Sequence, residues 1–461
     1  MPGLDKKYDP NAHEPRIIER WEHSDAFRAD PARAPGTRPP YCILIPPPNV
    51  TDRLHLGHAL NNSLQDILIR AHRMMGYEAL WLPGTDHAGI ATQTRVDKQL
   101  KAEGKPGLAH YKQLELAGEN GREQFVALVQ AWKDEYEATI ISQLKRMGCS
   151  CDWSRQRFTM DDICARAVRE AFFRLFKDGL IERGKRLVNW DPATQTALSD
   201  DEVEMQEVDG IFAYLRYPLV HPGTDTPVTW SELFARGYPK QFTPEGETGD
   251  DDPAFITVAT TRPETYLGDT AVAMHPDDPR AASLTPFHAE LPLVKRRLPI
   301  ITDDYVVMPD FITGEDSGDA KAQMATGFLK VTPAHDPNDY EIGRRHEETI
   351  REQCSAGTHL INVMAPDASI AATDEWNDIG DAHLFIGLSR EEARKKVLAE
   401  FKARNLLEAI KPHRHSVGHS YRSHVPIEPY LSDQWYVRVT DDRLAGFAQR
   451  ALSAEQRSTQ K

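Results

Sequence analysis

The sequence predicts an α/β protein, a doubly wound parallel sheet interrupted by a separate, mainly β domain. Three observations carry that prediction. Short apolar runs at 41–45 and 78–82 each end in a Pro- or Gly-rich turn and pass into helical spacing, so strand, turn and helix repeat. Two longer stretches, 119–148 and 161–179, hold an apolar period of one helical turn (Phe125, Leu128, Val129, Trp132, Tyr136, Ile140 and Leu144 in the first). Between 211 and 333 the character changes to short β-rich runs separated by Pro, Gly and Asp turns.

Residues 1–40 read as an N-terminal extension, with a short helix around 16–27 and then a Pro/Gly-rich linker, ADPARAPGTRPP. The run 41–45 (YCILI) is rich in β-formers and suits a buried strand. Pro46-Pro47-Pro48 ends it, because proline gives no N–H to a ladder and fixes its own φ. From Gly57 the spacing turns helical, with Leu60, Leu64, Ile67, Leu68, Ala71 and Met75 on one expected core-facing side. His55 and His58 sit where that helix begins, and a helix N-terminus stabilises an anion such as a phosphate. The run 78–82 ends in Pro83-Gly84-Thr85-Asp86-His87-Ala88-Gly89. Ligands of doubly wound sheets lie at the carboxyl ends of strands, so the His55/His58 and Asp86/His87 loops are expected to face one crevice.

In the β-rich region, strands are expected at 211–220, 255–260, 270–274 and 328–331, with acidic, turn-rich surface loops at 243–252 and 314–319. An amphipathic helix at 389–405 closes this region. The segment 412–439 is again apolar and aromatic and returns to the first domain. The expected boundaries are 1–40, 41–194 for the first part of the α/β domain, 195–410 for the inserted domain, and 411–461 for the return.

Composition narrows the class. A chain of 461 residues exceeds what one core organises. Net charge is 55 − 70 = −15, which argues against a general coat for DNA or RNA, so any RNA must be met through local basic patches. Five cysteines (Cys42, Cys149, Cys151, Cys164, Cys354) without CxxC spacing argue against a disulfide framework or a zinc site and for a reducing, cytoplasmic setting. No apolar leader opens the sequence, and no run approaches the roughly 20 apolar residues of a membrane helix.

His55-Leu56-Gly57-His58 resembles the His-x-Gly-His signature of class I aminoacyl-tRNA synthetases. IPPPNVTDRLHLGHALNNSLQDILIR, WLPGTDHAGIATQ, NWDPATQTALSDDEVE, TTRPETYLGDTAVAMHP, VTPAHDPNDYEIGRRH and HSVGHSYRSHVPIEPYLSDQWYV resemble the valyl members, in order, from about residue 9 to about 439. The resemblance implies a Rossmann-like catalytic core with an inserted editing domain. It implies a reaction in which valine and ATP, with its Mg2+, give valyl-adenylate and the valyl group passes to the 3′ end of tRNA(Val). His55, Gly57 and His58 would meet ATP, the two histidines stabilising charge on its phosphates. Pro46 and Asn49 would shape the valine pocket, Asp86 would pair with the ammonium and Trp435 would form an apolar wall. Threonine is nearly isosteric with valine and an apolar pocket rejects it weakly, so a second, hydrolytic site is needed. Thr260, Thr261 and Arg262 would receive the tRNA terminus. Lys330 and Thr332 would complete that pocket, Asp336 would read the misplaced hydroxyl and Asp339 would hold the amino group.

Three departures from the family pattern stand out. Asp52 replaces a customary glycine inside the signature and adds a negative charge near the phosphate loop. Asp191, Thr194, Ser420 and Ser423 occupy positions where some relatives carry cysteine pairs, so no zinc is expected. No Lys-Met-Ser-Lys-Ser-type loop or anticodon-binding domain occurs among the 461 residues. The expectation is therefore a valine–tRNA ligase lacking part of its synthetic site, or one whose C-terminal half comes from a second polypeptide. The alternatives are a free-standing hydrolase of mischarged tRNA and an inactive tRNA- or protein-binding remnant.

Overall fold

The computed structural model describes residues 8–30, 38–244, 249–314 and 316–452. Residues 31–37 of the expected linker, 245–248 and 315 of the two acidic tracts, and both chain ends lie outside the described residues. The chain forms two compact units, Met1–Ile181 with Arg438–Lys461, and Glu182–Val437.

In the first unit, α1 (Pro10–Glu22) starts earlier than expected, because Asp9 caps it by accepting from the Asn11 N–H (3.0 Å) and Pro10 fills the first helical position. β1 (Pro40–Leu44), α2 (Leu56–Met74) and β2 (Glu78–Leu82) make the expected crossover. The strands are parallel, in register from Pro40 opposite Glu78 to Leu44 opposite Leu82. A second parallel pair joins β3 (Gly84–Thr85) to β4 (Arg157–Phe158). Helices α3 (Gly89–Ala102), α4 (Leu108–Leu116), α5 (Gly121–Arg146) and α6 (Asp162–Lys177) complete the α/β unit. Its core gathers Ile45, Val50, Ile69, Trp81, Ile140 and Leu144.

The expected core-facing side of α2 is wrong. Leu60, Leu64, Ile67, Leu68 and Met75 are exposed, whereas Asn62 and Ile69 are buried. Among the described residues β1 pairs only with β2, and so narrow a sheet covers only part of a helix face. Likewise α6 buries none of its side chains.

The second unit is built on β7 (Val203–Val220), which follows β5 (Ile181–Asp191) and β6 (Thr196–Leu198). Strand β7 pairs with β8 (Phe255–Thr260), β10 (His288–Leu291) and, over most of its length, β13 (Leu407–Ser420). The sheet continues from β10 through β11 (Arg296–Thr302) and β9 (Ala271–Met274) to β12 (Leu329–Val331). A separate sheet runs β14 (Glu428–Val437), β5, β6. Strand β7 begins eight residues before the expected run, since 203–210 lie in a largely exposed ribbon with β13 that carries little apolar signal. The helix expected at 389–405 is Arg390–Ala403, opened by a reciprocal Ser389–Glu392 cap. All five cysteines are free thiols, and no helix among the described residues is long and apolar enough to cross a membrane.

Candidate functional site

The histidines of the first unit are fixed by backbone. His55 caps α2: its Nδ1 accepts from the Gly57 N–H (3.0 Å), and its own N–H donates to His58 Nδ1 (3.3 Å). With both Nδ1 atoms accepting, each neutral ring carries its proton on Nε2, on the edge turned away from those backbone contacts. The rings lie 3.9 Å apart between centroids, and burial, followed by the neighbouring His55, holds His58 below the usual histidine range. The pair is therefore set to donate hydrogen bonds at a positive helix end. A Cβ at Gly57 would stand 2.9 Å from His55 Cε1, so a side chain there would shift the ring from its capping position.

The loops after β1 and β2 run side by side at Asn49 and Asp86. Asn49 bridges Asp86, the Val50 N–H donates to the Asp86 carbonyl (3.0 Å), and the Asp86 N–H donates to the Pro48 carbonyl (2.9 Å). Pro46 and Asn49 are exposed and Asp86 is half-buried. Thr159, which sequence reasoning missed, donates to Asp86 Oδ1 (2.8 Å) and bonds His87 Nδ1 (2.6 Å). Asp52 is ion-paired with Arg95, another missed residue, so its added charge is compensated. Trp435 lies on β14 in the other unit and is half exposed.

In the second unit, Thr265, Asp269, Lys330, Thr332 and Asp339 form one buried cluster. Lys330 Nζ donates to the hydroxyls of Thr265 (3.1 Å) and Thr332 and lies 3.4 Å from Asp269 Oδ1. The Thr332 hydroxyl donates to Asp269 (2.7 Å), and the Thr332 N–H donates to Asp339 Oδ2 (2.9 Å). Burial pushes the Asp339 carboxyl up to about 7, against the opposing charge of Lys330 and with help from Asp336. Asp336 caps the helix Pro337–Arg345, its Oδ1 accepting from the N–H groups of Asn338 (2.8 Å) and Asp339 (3.1 Å).

The Thr260 hydroxyl accepts from the Arg262 N–H (3.0 Å), and Thr261 follows it at the end of β8. The Arg262 guanidinium is not free-standing. It pairs with Glu264 and Glu428 and donates to the His335 carbonyl (3.1 Å). Arg394 takes the same Glu264 through two bonds of 2.8 Å, and Arg390 takes Glu428 at 2.6 Å. Sequence reasoning missed these four partners and Asp269, because they come from segments far apart in the chain.

The four positions expected to lack zinc form two hydrogen-bonded turns. Ser420 donates to Asp191 Oδ2 (2.7 Å), and Asp191 Oδ1 accepts from the N–H groups of Ala193 (2.9 Å) and Thr194 (3.1 Å). The Ser420 hydroxyl accepts from the N–H groups of Arg422 (3.1 Å) and Ser423 (3.3 Å). No group of metal-binding side chains occurs among the described residues.

Parallel strands joined through a helix whose first turn presents paired histidines define a class, and comparison with known families agrees. Residues 16–460 match the family described as tRNA synthetases class I (I, L, M and V), and the chain belongs to it. Its relatives include a valine–tRNA ligase of Geobacter sulfurreducens, 45% identical over 451 residues, covering 98% of this chain and 42% of the relative. That of Caulobacter vibrioides is 46% identical over 435 residues, covering 94% and 42%. That of Synechocystis sp. is 43% identical over 451 residues, covering 98% and 41%. The chain thus spans about two fifths of the length of these relatives. A solved ternary complex of Agrobacterium radiobacter K84 agnB2 LeuRS, tRNA and LeuAMS is similar at a TM-score of 0.37 and 16% identity, over 92% of this chain and 52% of that one.

Proposed function

We propose that these residues form the amino-acid-activating and hydrolytic portion of a valine–tRNA ligase. The reading rests on one observation: a single chain holds a histidine pair at a helix N-terminus and, in its other unit, a buried lysine and a buried carboxylate joined through Thr332. Relatives carrying the name valine–tRNA ligase add the amino acid. On this reading 41–194 and 411–461 are two segments of the activating domain and 195–410 is the editing insert. The substrates are valine, ATP and the 3′ end of tRNA(Val).

ATP fits the first site by chemistry, as Nε2–H donors of His55 and His58 and the positive end of α2 oppose phosphate charge, with Gly57 leaving room for close approach. Mg2+ arriving with ATP would screen the remaining charge. Asp86 supplies a carboxylate for the amino-acid ammonium, with Pro46 and Asn49 shaping the adjoining loop. In the second site Asp339 is the partner of the amino group of a misacylated threonyl ester. Asp336, Lys330 and Thr332 surround it, and Thr260, Thr261 and Arg262 serve the RNA terminus. Since Arg262 already faces two carboxylates, a phosphate there has to compete with Glu428.

Two assays test the reading on the 461-residue polypeptide. Slow hydrolysis of threonyl-tRNA(Val) at high protein concentration is expected, together with negligible valine-dependent ATP–pyrophosphate exchange, because no lysine-rich second signature is among these residues. Full-strength exchange would refute that division of labour, and absence of hydrolysis would refute the editing assignment. Valine- and isoleucine-adenylate analogues should also differ in affinity, by roughly 1–3 kcal/mol for the overpacked larger side chain. Equal binding returns the isoleucyl alternative.

A further inference from the structure

The buried cluster of the second unit has an inner and an outer layer. Asp339 and Lys330 keep 6% and 7% of their surface exposed, whereas Asp269, Thr332 and Tyr217 keep 0%. Asp269 is thus out of reach of any substrate, yet it is the most heavily bonded carboxylate of the group. It accepts from the Tyr217 hydroxyl (2.8 Å) and the Thr332 hydroxyl (2.7 Å), and faces the Lys330 ammonium at 3.4 Å. Its main chain is fixed too. Arg296, 1% exposed, donates to the carbonyl oxygens of Leu267 (2.9 Å) and Asp269 (2.7 Å), and Asp378 holds Arg296 in turn.

These bonds assign the protons. Thr332 spends its hydroxyl proton on Asp269, so its lone pairs are left for the Lys330 ammonium. Its N–H fixes Asp339. Thr265 likewise donates to the Arg262 carbonyl (3.0 Å) and accepts from Lys330. Asp269 therefore acts on both outer groups, directly on Lys330 and through Thr332 on Asp339.

Resting on the reading of this unit as a hydrolytic site, we propose that Asp269 is a positioning residue that sets the Lys330 ammonium and the Asp339 carboxylate for an aminoacyl ester. Asp269→Asn keeps the shape and removes the charge. In the 461-residue chain it should lower kcat/KM for threonyl-tRNA hydrolysis by roughly 10-fold or more. It should also move the acid limb of the pH–rate profile to lower pH. That limb belongs to Asp339, which faces Lys330 and Thr332 on β12, Asp336 at the helix cap, Asp269 and Tyr305, and the substitution removes only the like charge of Asp269. A role limited to folding would lower the rate equally at every pH and leave the limb in place; that result overturns the proposal.

A second readout does not use activity. The Lys330 ammonium, engaged with three acceptors, should give a slowly exchanging 1H–15N signal in the parent chain and lose it in Asp269→Asn; its persistence also overturns the proposal. If Asp269→Asn does not fold, Tyr217→Phe reaches the same carboxylate more gently and should lower kcat/KM severalfold, an unchanged value counting against the proposal. Asp339→Ala separates the two levels. Equal hydrolysis by that variant and the parent refutes the hydrolytic reading and the proposal with it. A dead Asp339→Ala beside an Asp269→Asn of parental rate and pH profile refutes the proposal alone.

Discussion

The two units handle charge in opposite ways. In the first, the functional side chains are exposed or half-buried and held mainly by backbone within three residues: His55 by Gly57, His58 by His55. In the second, Lys330, Thr332 and Asp339 are buried, and Lys330 is held by Thr332 and by side chains about sixty positions away, Thr265 and Asp269. In the exposed arrangement partial burial, followed by the neighbouring His55, lowers His58. The buried one drives a carboxyl up to about 7. Local geometry presents a donor cheaply, whereas changing the proton affinity of an acid takes a desolvated site assembled from distant segments.

The comparison breaks most sharply at Asp339. On the proposed reading, in which Asp339 is the counter-charge for the amino group, Asp339→Ala should reduce threonyl-ester hydrolysis by about 10²-fold or more; activity within a few-fold of the parent would place the chemistry elsewhere. The same residue sets a pH dependence. A carboxyl near 7 in the fold and 3.8 when free favours folding at acid pH and loses that advantage as pH rises through about 7. Asp339→Asn should then be more stable than the parent by about 2 kcal/mol at pH 8, with the gain shrinking at pH 5, in urea unfolding. An equal gain at both pH values would show that ionisation is not the cause.

Smaller effects sharpen the contrast. Asp191→Ala strips Ser420 and two backbone N–H groups of their acceptor and should cost roughly 1–2 kcal/mol of stability. His58→Ala removes one donor of an exposed pair and should weaken ATP binding by about 1 kcal/mol, read by titration calorimetry. Asp52→Gly breaks an exposed pair with Arg95 and an exposed bond from the Arg53 N–H, and should change stability by less than about 0.5 kcal/mol.

What the sequence disclosed follows the same divide. Strand, proline stop, histidine pair and helix were legible at 41–75, because each feature is fixed by neighbours in the chain. The buried cluster entered only through family resemblance, and Asp269 not at all. Nothing in the run TTRPETYLGDTAV says that Asp269 meets Lys330, which lies on a strand that reaches β9 only through the folded sheet. The exposed stripe on α2 failed for a related reason: an apolar period predicts a face that should be covered, while the strands present decide whether it is.

The turns at Asp191 and Ser420 are tied with oxygen where sulfur and a metal would do similar work. A fastening of that kind has no thiol for peroxide to attack. Its weak point is acid. Burial opposes its charge, but bonds from Ser420 and Thr194 hold the Asp191 carboxyl below the usual range, so the tie contributes fully at neutral pH and is surrendered only as pH falls through that lowered value. Incubation with a chelator should leave the melting temperature of this chain where it was, and so should mild acidification; the contribution of this tie should fade only below pH 3.8.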